Sequence, residues 1–77
     1  MSFRGDLEPW IIAALLHHGG KANVTAIAKF VWENYEADIR NTGSALYTWQ
    51  YDMRWAGQSL QKQRKLLKHQ TYWELKA

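Results

Sequence analysis

Residues 45–75 read ALYTWQYDMRWAGQSLQKQRKLLKHQTYWEL, and this stretch decides the fold. At about 100° per residue, Trp49, Met53, Ala56 and Leu60 fall within about 60° of one another on a helical wheel, forming a narrow apolar stripe. Tyr47, Tyr51, Arg54, Gln58, Lys62 and Lys65 lie opposite, between about 140° and 220°, with Gln50 and Gln61 on the flank. The spacing predicts a helix from about Ala45 to Arg64. One of its faces is buried; the other carries hydrogen-bonding and cationic groups and no carboxylate. Leu66-Leu67-Lys68 and Thr71-Tyr72-Trp73-Glu74-Leu75 then read as two short strands. Neither His69 nor Gln70 suits a tight two-residue turn, so a looser hairpin is expected, with Trp73 and Leu75 turned inward.

Upstream, Asp6 reads as the cap of a helix beginning at Leu7, with Glu8 and Pro9 in its first turn. Leu7, Trp10, Ile11, Ala14, Leu15 and His18 share one face, and Gly19-Gly20 supplies the stop. Ile12, Ala13 and Leu16 make the other side apolar as well. That side needs a cover: Phe3, the C-terminal strand, or a second copy of the chain in a twofold homodimer. Lys21-Ala22 is a short extended link, and Asn23 caps a second helix to about Tyr35 with Ile27, Phe30, Val31 and Tyr35 inward. Glu36 to Ser44 is a turn-forming segment without apolar period. Residues 1–77 are thus read as a single domain, mainly α with a small β-hairpin. Three helices followed by a hairpin is the order of a winged helix-turn-helix.

Composition narrows the chemistry. A 77-residue chain with no cysteine has no disulfide to stiffen it, so five tryptophans must supply much of the core. His17, His18 and His69 are its only nitrogen ligands, and the adjacent pair points about 100° apart, so no zinc site and no cofactor is expected. No Ser/His/Asp or paired-carboxylate arrangement suggests an enzyme. No apolar run reaches bilayer length and no secretory leader is evident, so a cytoplasmic protein away from the membrane is expected. The net charge of +3 is unevenly divided. Residues 1–39 set Arg4, Lys21 and Lys29 against five acids, for −2. Residues 40–77 set seven cations against Asp52 and Glu74, for +5. Such polarity suits a phosphate-facing side, and equally a solvated basic end.

The glycine pair Gly19-Gly20, then Arg54-Trp55-Ala56 followed by Leu60, then Leu66-Leu67 and Trp73-Glu74-Leu75, resemble one family in order and rough spacing. That family is the N-terminal winged-helix domain of Mrr-type restriction endonucleases, and the similarity spans Trp10 to Leu75. Three features depart from it. Arg64-Lys65 stands where the family carries a glycine, the hairpin tip is shortened to His69-Gln70, and no nuclease domain follows. The resemblance implies a DNA-gripping module without cleavage of its own.

The expected DNA contacts follow from side-chain chemistry. Arg54, Gln50 and Gln58 suit bidentate reading of guanine and adenine in the major groove, and Tyr47 and Tyr51 suit phosphate or a thymine methyl. Lys62, Arg64, Lys65 and Lys68 would neutralise phosphates beside the hairpin. Arg40, Asn41, Thr42 and Ser44 precede the third helix, where they serve either phosphate contact or plain turn chemistry. The expected role is double-stranded DNA binding as a small regulator or accessory specificity module. The rival is a protein-interaction module docking through the first helix.

Overall fold

The computed structural model describes residues 3–76, with side chains from residue 5 onward. Its elements are α1 (Phe3–His17), β1 (Lys21–Ala22), α2 (Val24–Arg40), α3 (Ala45–Lys62), β2 (Leu66–Lys68) and β3 (Trp73–Leu75). The chain is mainly helical with one small antiparallel sheet in the order β1-β3-β2. Trp73 on the central strand stands opposite Ala22 on one side and Lys68 on the other. The link expected at Lys21-Ala22 is therefore a strand. Two residues suffice because Leu75 N–H also donates to the Gly20 carbonyl at 2.7 Å.

The core gathers one face from each helix and closes under the sheet. Leu7, Ile11, Ala14 and Leu15 come from α1, Ile27, Val31 and Ile39 from α2, and Trp49, Met53, Ala56 and Leu60 from α3, joined by Leu66 and Trp73. The expected α3 stripe is buried in full, and Trp73 is inward as its strand alternation requires. Leu75 is half-buried against the same cluster. The hairpin is looser than a two-residue turn, as expected. Residues 69–72 form the tip, and His69 N–H donates to the Tyr72 carbonyl at 2.8 Å.

Helix boundaries differ from the sequence expectation in three places. α1 starts at Phe3 rather than Leu7, which puts Pro9 inside the helix and leaves Asp6 in the first turn rather than at the cap. An acid there still meets the positive end of the helix dipole. α2 does not stop at Tyr35. That residue leaves helical geometry (φ −128°, ψ 20°), and the helix resumes to Arg40, delivering Ile39 to the core. The kink is held by Trp10, which stacks on Tyr35 with ring centroids 4.4 Å apart and planes 8° from parallel. The first half begins as expected, with Asn23 Oδ1 accepting from Ala26 N–H at 2.7 Å. Phe30 and Tyr35 sit half-buried at the core margin rather than within it.

α1 and α3 end in the same hydrogen-bonded reversal. At α1, Gly20 N–H donates to the Leu15 carbonyl at 2.7 Å and Gly19 N–H to that of Leu16 at 3.2 Å, with Gly19 at φ +82°. This is the Schellman pattern that glycine favours. His18 is carried past the buried stripe by this turn and is exposed. At α3, Lys65 N–H donates to the Leu60 carbonyl at 2.9 Å and Arg64 N–H to that of Gln61 at 3.0 Å. Here the left-handed position is held by Arg64, at φ 62°. The helix therefore ends at Lys62, and Arg64 and Lys65 lie beyond it, off the α3 face.

Candidate nucleic-acid interface

α3 packs α1 along one flank and α2 with the sheet along the other, which leaves one face outward. Tyr47, Gln50, Tyr51, Arg54, Gln58 and Lys62 are all exposed, with Tyr47 at 86% and Tyr51 at 60%. Asp52 lies off this face, half-buried, where its Oδ2 accepts from Thr48 Oγ1 at 3.2 Å. The surface so formed offers donors, aromatic rings and positive charge without a carboxylate.

Between α2 and α3 runs a cleft of about 530 Å³. Its floor includes Trp49 and Met53, with Trp32 stacked on Trp49 at 5.8 Å and 16°. The exposed residues on its edge are Thr25 and Lys29 from α2 and Gln50 and Arg54 from α3. The cleft begins at Val24, and the residue before it, Asn23, lines a second hollow with Lys21, Ala22, Thr71 and Tyr72. The two hollows thus meet the chain at neighbouring residues at the start of α2, one opening toward α3 and the other toward the hairpin tip.

The remaining expected contacts divide. Lys62, Arg64 and Lys65 are exposed around the end of α3. Lys68 is half-buried with its Nζ 5.1 Å from the centre of the Trp73 ring, so its charge is held against the core margin. His69 stacks on Tyr72 at 4.4 Å, and its Nε2 lies 3.1 Å from Glu74 Oε1.

The turn before α3 serves its own chain. Arg40 Nε donates to Glu36 Oε2 at 2.7 Å and the guanidinium lies 5.4 Å from the centre of the Trp32 ring. Asn41 N–H donates to the Ala37 carbonyl and Thr42 Oγ1 to that of Asp38, closing α2. Asn41 and Thr42 also share a hollow with Asp6 and Asp38, whose charges oppose a phosphate. Ser44, at the start of α3, is exposed and makes no side-chain cap hydrogen bond.

Three contributors were not anticipated. Thr25 and Lys29 lie one turn apart on the outward side of α2, a spacing visible in the sequence, but only the approach of α2 to α3 sets Lys29 beside the Arg54 edge of the cleft. Trp55, 47% exposed, adds a third exposed ring to α3, edge-on to Tyr51 at 6.2 Å and 67°.

On α1, the apolar patch expected at Ile12, Ala13 and Leu16 is reduced. Ile12 packs against the core cluster and Ala13 is half-buried, whereas Leu16 is 65% exposed. The side chain of Phe3, a candidate cover, lies outside the described residues. His17 and His18 meet edge-on at 5.0 Å, both exposed. No helix among the described residues is long and apolar enough to cross a membrane.

Compared with protein-family models, curated proteins and solved structures, the chain matches none.

Proposed function

We propose that this chain is a winged helix-turn-helix module that binds double-stranded DNA, with α3 in the major groove and the β2–β3 hairpin beside the backbone. The observation that carries the reading is the exposed face of α3 formed by Tyr47, Gln50, Tyr51, Arg54, Gln58 and Lys62, which bears donors, rings and cations without a carboxylate and is bordered at Gln50 and Arg54 by Thr25 and Lys29 of α2. The element order, with β1 completing a three-stranded sheet between the first two helices, supports the winged arrangement. Arg54, Gln50 and Gln58 carry the groups that read guanine and adenine edges, and Lys62, Arg64 and Lys65 supply phosphate contacts. The resemblance to the Mrr-type N-terminal domain points the same way, toward a small regulator or accessory specificity module in the cytoplasm that acts by binding and has no catalytic step.

The rival, a protein partner docked on α1, has less support. Trp10 and Ile12 pack against the core, and a single exposed Leu16 is ordinary surface. The same shortage of apolar area weakens the case for a homodimer through Ile12, Ala13 and Leu16.

A gel-shift titration on random duplex at about 50 and about 200 mM salt tests the reading. Three phosphate contacts would lower affinity about fortyfold between these conditions. Undetectable duplex binding at the lower salt would refute it.

A further inference from the structure

Major-groove reading gives Tyr47 and Tyr51 at most a phosphate or a thymine methyl and gives Trp55 no contact. Tyr47, Tyr51 and Trp55 follow one another at intervals of four residues, so they form one oblique row with a rise of about 6 Å per step. They are 86%, 60% and 47% exposed, an unusual area of aromatic ring to leave on one helix face. A paired duplex offers little to such rings, because its base faces are covered by their neighbours and only base edges line the groove. Bases have uncovered faces where a strand is unpaired, and aromatic side chains are the groups on which unpaired bases stack. The charges around the row suit a nucleic-acid strand. Arg54 is exposed on the same face, and Lys62 is exposed at the Trp55 end, where it shares a hollow with Trp55 and Gln58. Two acids lie near the Trp55 end: Glu8 in that hollow, which accepts from Gln63 Nε2 at 3.0 Å, and Asp52, half-buried, which accepts from Thr48 Oγ1 at 3.2 Å.

We infer that the row Tyr47, Tyr51 and Trp55 stacks on unpaired bases, so that the preferred ligand is a duplex carrying a single-stranded segment. The inference rests on the reading above for its choice of nucleic acid as partner. Tyr51 and Trp55 meet edge-on rather than in parallel, so the row forms a platform and not a slot that sandwiches a base.

Fluorescence anisotropy on a blunt duplex and on a tailed duplex of equal phosphate number provides the test. With phosphates matched, the general electrostatic contribution is slightly weaker on the tailed ligand, so tighter binding there reports stacking, and one stacked base makes it about tenfold tighter. Tyr47→Leu and Trp55→Ala bring the tailed-to-blunt ratio toward one, whereas Tyr47→Phe, which keeps the ring, retains it. Circular dichroism checks each variant for folding, and the high exposure of Tyr47 makes its variants the safer pair. A wild-type ratio of one overturns the inference while leaving duplex binding intact. Binding of the tailed ligand alone upholds it and overturns the major-groove reading. Binding of neither overturns both and leaves the row to a protein partner.

Discussion

The indole of Trp73 lies directly against the backbone of Gly57. A Cβ at Gly57 would stand 2.5 Å from Trp73 Cη2 and 2.6 Å from Cζ3, closer than carbon atoms approach. Trp73 is 3% exposed and sits on the central strand, so this contact presses the sheet onto α3. The hairpin's position relative to the α3 face depends on the missing side chain. Gly57→Ala should therefore destabilise the protein. Helix propensity favours alanine by about 1 kcal/mol, but overpacking against a buried ring costs about 1–3 kcal/mol. Thermal melting checks the sign, and an unchanged or raised midpoint would show that the ring can move aside.

Removing the ring should be worse. Trp73→Ala opens a cavity under the sheet at a cost of about 3–5 kcal/mol, enough to leave a domain this small largely unfolded. Loss of amide dispersion in a proton–nitrogen correlation spectrum is the expected readout.

Arg64→Gly should stabilise the fold. Arginine in the left-handed region costs about 1 kcal/mol that glycine avoids, partly offset by the freedom of glycine in the unfolded chain. A net gain of about 0.5 kcal/mol in chemical denaturation is expected. If Arg64 also touches phosphate, the same variant lowers the salt slope of DNA binding by about one. A destabilised variant would mean that the arginine side chain makes a compensating contact.

Arg54→Ala should weaken a preferred DNA site by about 1–3 kcal/mol and spare random duplex, the signature of a base contact. Lys65→Ala, beyond the end of α3, should weaken all duplexes alike and reduce the salt slope by about one. Equal loss on every sequence for Arg54→Ala would move that residue to the backbone.

Arg40→Ala should change duplex affinity by no more than about 0.5 kcal/mol, because the guanidinium is committed to Glu36 and Trp32. A loss as large as that of Lys65→Ala would show that the pair opens to receive a phosphate.

Local rules explain what was legible before the structure. The α3 stripe of Trp49, Met53, Ala56 and Leu60, the Asn23 cap, the glycine stop after α1 and the inward Trp73 each follow from neighbours a few residues away. The outward face from Tyr47 to Lys62 was legible for the same reason, since a buried stripe on a helix dictates its opposite. The errors occurred where a distant partner outweighed local preference. α2 continues past Tyr35 because Trp10, on another helix, stabilises the kink, so that Ile39, one turn beyond Tyr35, still reaches the core across a segment rich in turn-forming residues.

By itself, the sequence determined the number and order of helices, the hairpin, the buried stripe of α3 and the chemistry of its outward face. Periodicity, capping and strand alternation are short-range effects written in adjacent residues. Tertiary contacts alone made Lys21-Ala22 a strand, seated Trp73 on Gly57 and drew Lys68 over the Trp73 ring. They also decided that Thr25 and Lys29 join Arg54 around one cleft. These depend on which elements approach one another, and that is set by how three helices and a sheet share a single apolar interior.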